Sequence, residues 1–514
     1  MTEVSRRNLL RAGGALAAGA AASMLPGIAF AAPDWEAGQQ TGTSQQAGTS
    51  QQTKTVTGTF PPDTPDWFYL PVEVPPGVSQ TDVSYTYDRP TVPPGVRGNS
   101  CDIGMFGPEG FQLGNTRGFR GWSGGFRTSF SISASDATPG YLPGPITPGT
   151  WHVILGPYTV APQGLNYQVT ITLTFGPAGQ PFRPNPAPTS APAKQRGRAW
   201  YRGDSHLHAV YSDGRRTPEQ LVADARAAGL DFIVSTDHNT SSATLQWGDH
   251  ATDDLLILNG EEVTTRSGHW PAIGIPPAHW IDWRYRASSP NEFRRFVDEV
   301  HGLGGLVTAA HPFANCFGCT FEFRYEVADL VEVWNGPWST NDHQTVDHWD
   351  GLLRGGRLIP AIGDSDAHNP DQVVALPHTV VLADSLKRGA LLRGLKAGRS
   401  WLAESSSVDL TFTATSGGQA RGIGERLAVG TGTAVQVDAV VGGVPGTTVT
   451  ILDQLGVEFT RTVPASGSAT VSWTTFPRYS RWVRAEVRRP AGGVDTTAPD
   501  ATVAMTNPIF LGAD

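Results

Sequence analysis

Hydrophobic and polar positions follow two rhythms along the chain. Between about 57 and 175 the period is two: Tyr167, Val169, Ile171, Leu173 and Phe175 are separated by Gln168, Thr170, Thr172 and Thr174. Alternation sets one face of each segment against a core and the other in water, and with frequent Gly and Pro turns it predicts an antiparallel β-sandwich over 57–176. Six prolines between Pro177 and Pro192 then predict a semi-rigid linker over 177–196. Beyond it, short apolar runs at 232–234, 255–258, 305–309, 330–333 and 379–382 alternate with helical patterns. The clearest helix signal is Thr217 as a cap, Pro218 in the first turn and Gln220 closing a capping box. Leu221, Val222 and Ala225 then share a face, and Gly229 ends it. Repeated strand–helix units over 197–404 predict a parallel α/β barrel or a doubly wound sheet. From 405 to 514 period two returns, with Val483, Ala485 and Val487 between Arg484, Glu486 and Arg488, and predicts a second β-sandwich. The expected fold class is multidomain, α/β plus β.

Two segments stand outside this pattern. Residues 39–52 repeat a Gln-Gln-x-Gly-Thr-Ser unit too polar to bury a core, so 32–56 is expected to be a disordered linker. Ser5-Arg6-Arg7-Asn8-Leu9-Leu10-Arg11, followed by an Ala/Gly run and Ala29-Phe30-Ala31, reads as a twin-arginine export signal over 1–31. The expected location is therefore periplasmic or extracellular, after export in the folded state.

Composition narrows the function classes. The 514 residues are 39% apolar and 17% charged, with 60 Gly and 40 Pro, which fits a loop-rich β-containing protein and excludes a coiled coil. Net charge is -9, and Lys occurs only at 54, 194, 387 and 396. An acidic chain without a basic run is a poor partner for nucleic acid or an anionic membrane surface. After the first 35 residues no run of 18 apolar residues occurs, so no membrane span is expected.

The histidines are unevenly placed: 12 of the 13 lie between His206 and His378, and the β-rich flanks hold only His152. They fall in clusters with carboxylates just after predicted strands, the edge at which parallel α/β folds carry their sites. In order these are His206 and His208 with Asp213, then Asp237 and His238, then Glu261 and Glu262 with His269, then His311, then Asp366 and His368. In an extended segment His206 and His208 project to one side and can reach one ion. Imidazole and carboxylate together suit Zn, Mn or Fe. Asp237 is expected to orient a ligand, and Asn335 to contact substrate or cap its strand. Arg266 and Arg216 are candidates for clamping an anion, or ordinary surface arginines. His279, His301, His343 and His348 match no ligand motif. Cys316 and Cys319 are expected to form a local disulfide. No nucleophile elbow, Walker motif or dinucleotide fingerprint occurs, which leaves a metal-bound hydroxide as the nucleophile of a hydrolase.

The run H-L-H-A-V-Y-S-D-G, followed by T-D-H-N, G-E-E, H-P, E-V-W-N and G-D-S-D-A-H, resembles the polymerase and histidinol phosphatase (PHP) superfamily over about 196–404. The export signal, the flanking β domains and the last motif resemble its secreted branch of carbaryl-type metallohydrolases. The resemblance implies a distorted (β/α)7 barrel with two or three divalent ions. It implies a first ion on His206, His208, Asp366 and bridging Glu262, a second on Glu262, His269 and His311, and a third on Asp213, His238 and His368. Glu262, Asp366 and His311 would carry the catalytic burden. The substrate implied is a small ester: an anionic phosphomono- or phosphodiester, or a carbamate or carboxylic ester. An exported binding protein with a relic barrel, whose β domains hold a surface or a carbohydrate, is the non-enzymatic alternative.

Overall fold

The computed structural model describes residues 40–46, 49–490 and 501–513; the twin-arginine segment lies outside them. The described chain is mostly β with few helices. In the N-terminal part, a five-stranded antiparallel sheet runs Gln40–Gln46, Thr49–Phe60, Leu165–Phe175, Val78–Tyr87, Ser129–Ser133. A four-stranded sheet runs Phe68–Val74, Gly149–Thr159, Ser100–Phe106, Phe119–Ser123. Inward residues of both sheets, among them Val83, Ile103, Trp151 and Val169, form one apolar cluster.

Within the disordered linker expected over 32–56, this sheet corrects the described residues 40–46 and 49–56; the rest of that segment lies outside the described residues. Thr49–Phe60 is a strand paired along its length with Leu165–Phe175. Its side chains are polar because they meet polar neighbours across the ladder, as Thr53 Oγ1 and Thr172 Oγ1 do at 3.1 Å. Thr is a good strand former, and backbone pairing needs no apolar side chain when a finished sheet offers an edge.

In the central part a single sheet curls through Ala361–Asp364, Leu330–Asn335, Leu306–Ala309, Gly268–Ile273, Leu256–Thr265, Phe232–Ser235, Ala199–Asp204, His378–Ala383 and Ser400–Ala403. Four α-helices accompany it: α1 Pro218–Ala227, α2 Pro290–Gly302, α3 Thr340–Arg354 and α4 Arg388–Lys396. The capping box of α1 forms, with Thr217 and Gln220 bonded reciprocally, and Leu221, Val222 and Ala225 are buried. The regular strand–helix alternation of an all-parallel barrel is not what the chain follows. Leu256–Thr265 turns directly into Gly268–Ile273 as a hairpin, and Ala199–Asp204 is antiparallel to His378–Ala383. The curl returns Ala361–Asp364 to His378–Ala383 through the Thr379 hydroxyl, which accepts from Gly363 N at 3.0 Å.

The expected boundary at 404/405 is crossed by hydrogen bonds. Ser400–Ala403 pairs with Thr502–Thr506, and the same sheet continues through Trp482–Arg488, Thr448–Asp453 and Gly456–Thr462. A separate sheet runs Gln419–Gly422, Asp409–Ser416, Val435–Gly442, Ala469–Thr475. The alternation in Trp482–Arg488 predicts one wet face, yet Arg484 and Glu486 are buried. Arg484 Nη2 lies 3.0 Å from Asp350 on α3, and Glu486 also takes Arg488 at 2.7 Å. The polar face packs on a helix through ion pairs. Burial pushes the Glu486 carboxyl up, but Arg484 and Arg488 overcome it and hold it at about 2. A depressed carboxylate pKa stabilises the fold above its unfolded value, so this contribution is lost as pH falls from about 4.5 towards 2. Glu486→Gln leaves Arg484 with Asp350 alone and is expected to destabilise the chain by about 1.5–3 kcal/mol in denaturant unfolding, the scale of a hydrogen bond to a charged group; a change under about 0.5 kcal/mol would contradict the buried network.

Candidate metal centre

Strand ends deliver the chemistry to one edge of the curled sheet. Ala199–Asp204 leads into His206 and His208, Phe232–Ser235 into Asp237 and His238, Leu306–Ala309 into His311, and Ala361–Asp364 into Asp366 and His368. Glu262 and His269 stand on the two arms of the hairpin. Isolated bridges join Leu207 to Ala367 and His238 to Glu262, which locks neighbouring loops together. Gly214 lets the Asp213 loop fold back, since a Cβ there would lie 2.4 Å from the His208 carbonyl carbon. Two donors occupy the left-handed region that side chains seldom adopt, His311 at φ 25° and Asp366 at φ 48°. Such conformations persist where the surroundings impose them, and they concentrate at functional sites.

All nine candidate ligands converge. His206 Nε2 lies 3.3 Å from Glu262 and 3.4 Å from Asp366, and His208 Nε2 lies 3.4 Å and 2.9 Å from the same two carboxylates. Glu262 is also 2.7 Å from His238, 3.0 Å from His269 and 3.3 Å from His311. Asp213 lies 3.5 Å from His238 and 3.4 Å from His368. Four sets of donors could each hold an ion: His206, His208 and Glu262; His206, His311 and Asp366; His238, Glu262 and His269; and His208, Asp213, His238 and His368. The sets overlap more than the three separate ligand groups that the resemblance implies, with His208 joining the Asp213 set.

The donor atoms fit a cation. His206 Nε2, His208 Nε2, Glu262 Oε2, His269 Nε2, His311 Nδ1 and Asp366 Oδ1 are buried without a well-directed hydrogen bond. Stranding so many polar atoms together is costly, and a divalent cation is the partner that imidazole and carboxylate share. Burial alone would raise the carboxyls of Glu262 and Asp366, but the surrounding imidazoles hold both well below the usual carboxylate range. The same field works in reverse on the rings. Against burial, Glu262 and Asp213 push His238 up to about 10, and Asp366, Glu332 and Glu262 push His206 up. His208, buried and facing His368 and His238, falls to about 3.

A further carboxylate escapes sequence reading. Glu332, buried in the middle of an apolar strand, takes His206 Nδ1 at 2.9 Å, His311 N at 2.8 Å and Asn335 Nδ2 at 3.0 Å. By holding Nδ1 it directs Nε2 of His206 at Glu262 and Asp366. A glutamate between Val331 and Val333 is the available signal, since a buried charge there needs a partner. Thr264 Oγ1 meets His238 Nδ1 at 2.5 Å in the same way. Asp237 binds the loop and not a ring, accepting from Ala209 N at 2.9 Å and Ser212 N at 3.0 Å. Asn335 donates to Asp366 at 3.2 Å.

The remaining candidates sort cleanly. Glu261 projects to the opposite face of its strand from Glu262, where it accepts from Ile281 N at 2.9 Å. Arg216 is buried on Asp224 and the Asn369 and Gln372 carbonyls, so it clamps its own loop. Arg266 lies in a cavity wall, described below. Cys316 and Cys319 form a disulfide. His279, His301 and His343 pair with Glu299, Asp329 and Asp347, and His348 packs on Phe313 and Tyr325, away from the cluster.

No family model matches the chain, and no curated protein does. Among solved structures, it is similar to a two-domain protein from Bacteroides vulgatus described as containing a predicted PHP-like metal-dependent phosphoesterase. That likeness has 18% identity and a TM-score of 0.36, and it covers 64% of this chain and all of the other (100%). An amidohydrolase from Chromobacterium violaceum with bound sulfate shows 20% identity and a TM-score of 0.25, over 34% of this chain and 89% of the other.

Two outcomes follow from the donor geometry. Glu332→Gln is expected to lower metal affinity about 10–100-fold in chelator competition, because it weakens the acceptor behind His206; unchanged affinity would contradict that positioning role. A ligating imidazole must be neutral, so metal binding at pH 7 displaces a proton from His238, whose pKa lies at about 10. Apparent affinity should therefore rise from pH 7 towards 10 with proton release in calorimetry; a flat profile without proton release would contradict displacement of a proton from His238.

Proposed function

We propose that the protein is a metal-dependent hydrolase acting on phosphate esters. The observation that carries the reading is the convergence of nine imidazole and carboxylate donors, several buried and unbonded, at one sheet edge. Bound divalent ions there would activate water and neutralise charge developing on the substrate. The chain's own residues orient and insulate. Glu332 and Thr264 fix the His206 and His238 rings, Asn335 holds Asp366, and Asp237 braces the loop that carries His208 and Asp213. Glu262, central to the set and fully buried, is the group best placed to bridge two ions.

Charge favours an anionic substrate. Three divalent ions would bring six positive charges against Asp213, Glu262 and Asp366 in the donor sets and Glu332 behind His206, a surplus of about two that a phosphate ester balances better than a neutral carbamate. With one or two ions that surplus shrinks, and hydrolysis of a carbamate or carboxylic ester becomes the competing reading. The donor order and the curl of the sheet support reading the central part as a distorted barrel of PHP type between two β domains. The twin-arginine pattern at 5–11 supports export of the folded chain.

The test is a panel of phosphomono-, phosphodi- and carbamate esters with the metal-loaded chain and its His238→Ala variant. Phosphate-ester turnover that falls at least about 100-fold in the variant, with one ion fewer bound, is expected. Carbamate turnover far above phosphate-ester turnover would sink the reading.

A further inference from the structure

A cavity of about 240 Å³ opens on the donor cluster. Asp213, His238 and His269 line one side, and Asp102, Trp122 and Phe126 from the N-terminal sheets line the other. The two sides are held by a common core, with Phe119 stacked on Trp280 at 4.0 Å and Trp122 against Trp283 at 4.6 Å. Arg284 adds polar anchors, donating to the Phe111 carbonyl at 2.8 Å and to the Tyr69 hydroxyl at 2.5 Å. The N-terminal sheets thus form a fixed part of the wall that a substrate on the metal donors would face.

The chemistry of that wall selects a leaving group. Asp102 accepts from Gly125 N at 2.9 Å through Oδ1, and among the described residues its other oxygen has no hydrogen-bond donor. The arginine in the wall, Arg266, is engaged elsewhere: its Nη atoms donate to the Tyr158, Pro157 and Asp66 carbonyls at 2.8, 3.0 and 3.3 Å, and its Nε faces the Asp66 carboxylate at 3.6 Å. A second phosphate would therefore meet a carboxylate with no free cation to balance it. A bare aromatic ring would desolvate Asp102 and return no hydrogen bond. Burial raises the Asp102 carboxyl to about 7 against the pull of Arg266, so at neutral pH it is a weak counter-ion for a cationic amine and serves a hydroxyl equally well in either protonation state. A neutral ring bearing hydroxyls supplies donors to Asp102 and apolar edges to Trp122 and to Phe126, which is 49% exposed at the rim. The volume lies below the roughly 300 Å³ at which pockets for drug-sized ligands begin, so one ring fills the walled part of the cavity.

We propose that Asp102 and Phe126 bind the leaving group of the ester, and that this group is an uncharged polyhydroxylated ring of single-sugar size; the inference rests on the phosphoesterase reading above. The test compares kcat/KM of the metal-loaded full chain on glucose 1-phosphate, phenyl phosphate and phosphocholine, and on the corresponding methyl diesters. The wild type should prefer the glucosyl esters. Asp102→Asn retains an acceptor for Gly125 N but replaces the other carboxyl oxygen, the acceptor offered to a hydroxyl, with an amide donor, and should lower the glucosyl-to-phenyl ratio about 10–100-fold, mostly through KM, at unchanged metal content. Should that variant fail to fold, Phe126→Ala at the exposed rim decides, with an expected rise in glucosyl KM of about 2–10-fold. A wild-type preference for phenyl phosphate or phosphocholine, or an unchanged ratio and KM in the variants, would overturn the inference and leave the phosphoesterase reading standing. Absence of turnover of every ester by the metal-loaded wild type would overturn both.

Discussion

Two buried carboxylates set the terms for the centre of this protein. Glu262 is fully buried and Asp366 mostly so, with 18% of its side chain exposed, and among the described residues no arginine or lysine is paired with either. Isolated ions in such surroundings cost several kcal/mol each, so compensating charge must be built around them. Here imidazoles do so, and they come from five segments far apart in sequence. The curl of the sheet, the strained backbone at His311 and Asp366, and the close approach of Gly214 to His208 all serve to bring those rings to one point. Imidazole can be shared between a proton and a metal, so the arrangement that relieves the carboxylates also makes a cation site.

Much of this was legible from residue types alone. His206 and His208 share a side because an extended segment has period two, and the other donors follow apolar runs that end at the same edge. Glu261 and Glu262 could not be separated by period alone, because which of two adjacent residues faces the site depends on which face of the hairpin is turned inward. Glu332 was hidden for a related reason. Its neighbours Val331 and Val333 mark a buried strand, and its role exists only because His206 lies across the sheet from it. The overlap of the donor sets, with His208 close to both Asp366 and His368, is likewise a product of curvature.

Where the fold departs from expectation, a polar residue has found a partner that pattern reading assigns to water. The Thr-rich strand Thr49–Phe60 is ordered by backbone pairing and hydroxyl contacts along its polar length and by Val56 and Phe60 at its end, so the polar repeat at its start does not imply disorder. Arg484 and Glu486 alternate like surface residues yet lie against Asp350 of α3. Asp102 belongs to a β segment that carries no catalytic motif, and its place beside the donors follows from how Phe119 and Trp122 pack on Trp280 and Trp283. In each case the decisive contact is between segments more than a hundred residues apart, or across an interface that period alone cannot anticipate.

The account turns on whether the donor cluster holds metal. Elemental analysis of the purified full chain, followed by anomalous diffraction at the absorption edge of the element found, measures this directly. The account predicts two or three anomalous peaks within about 2.0–2.2 Å of donor atoms from His206, His208, Glu262 and Asp366 and from the Asp213, His238 and His368 set. A chain that remains free of metal after incubation with Zn, Mn and Fe, or peaks confined to other histidines such as His279 or His301, would contradict it.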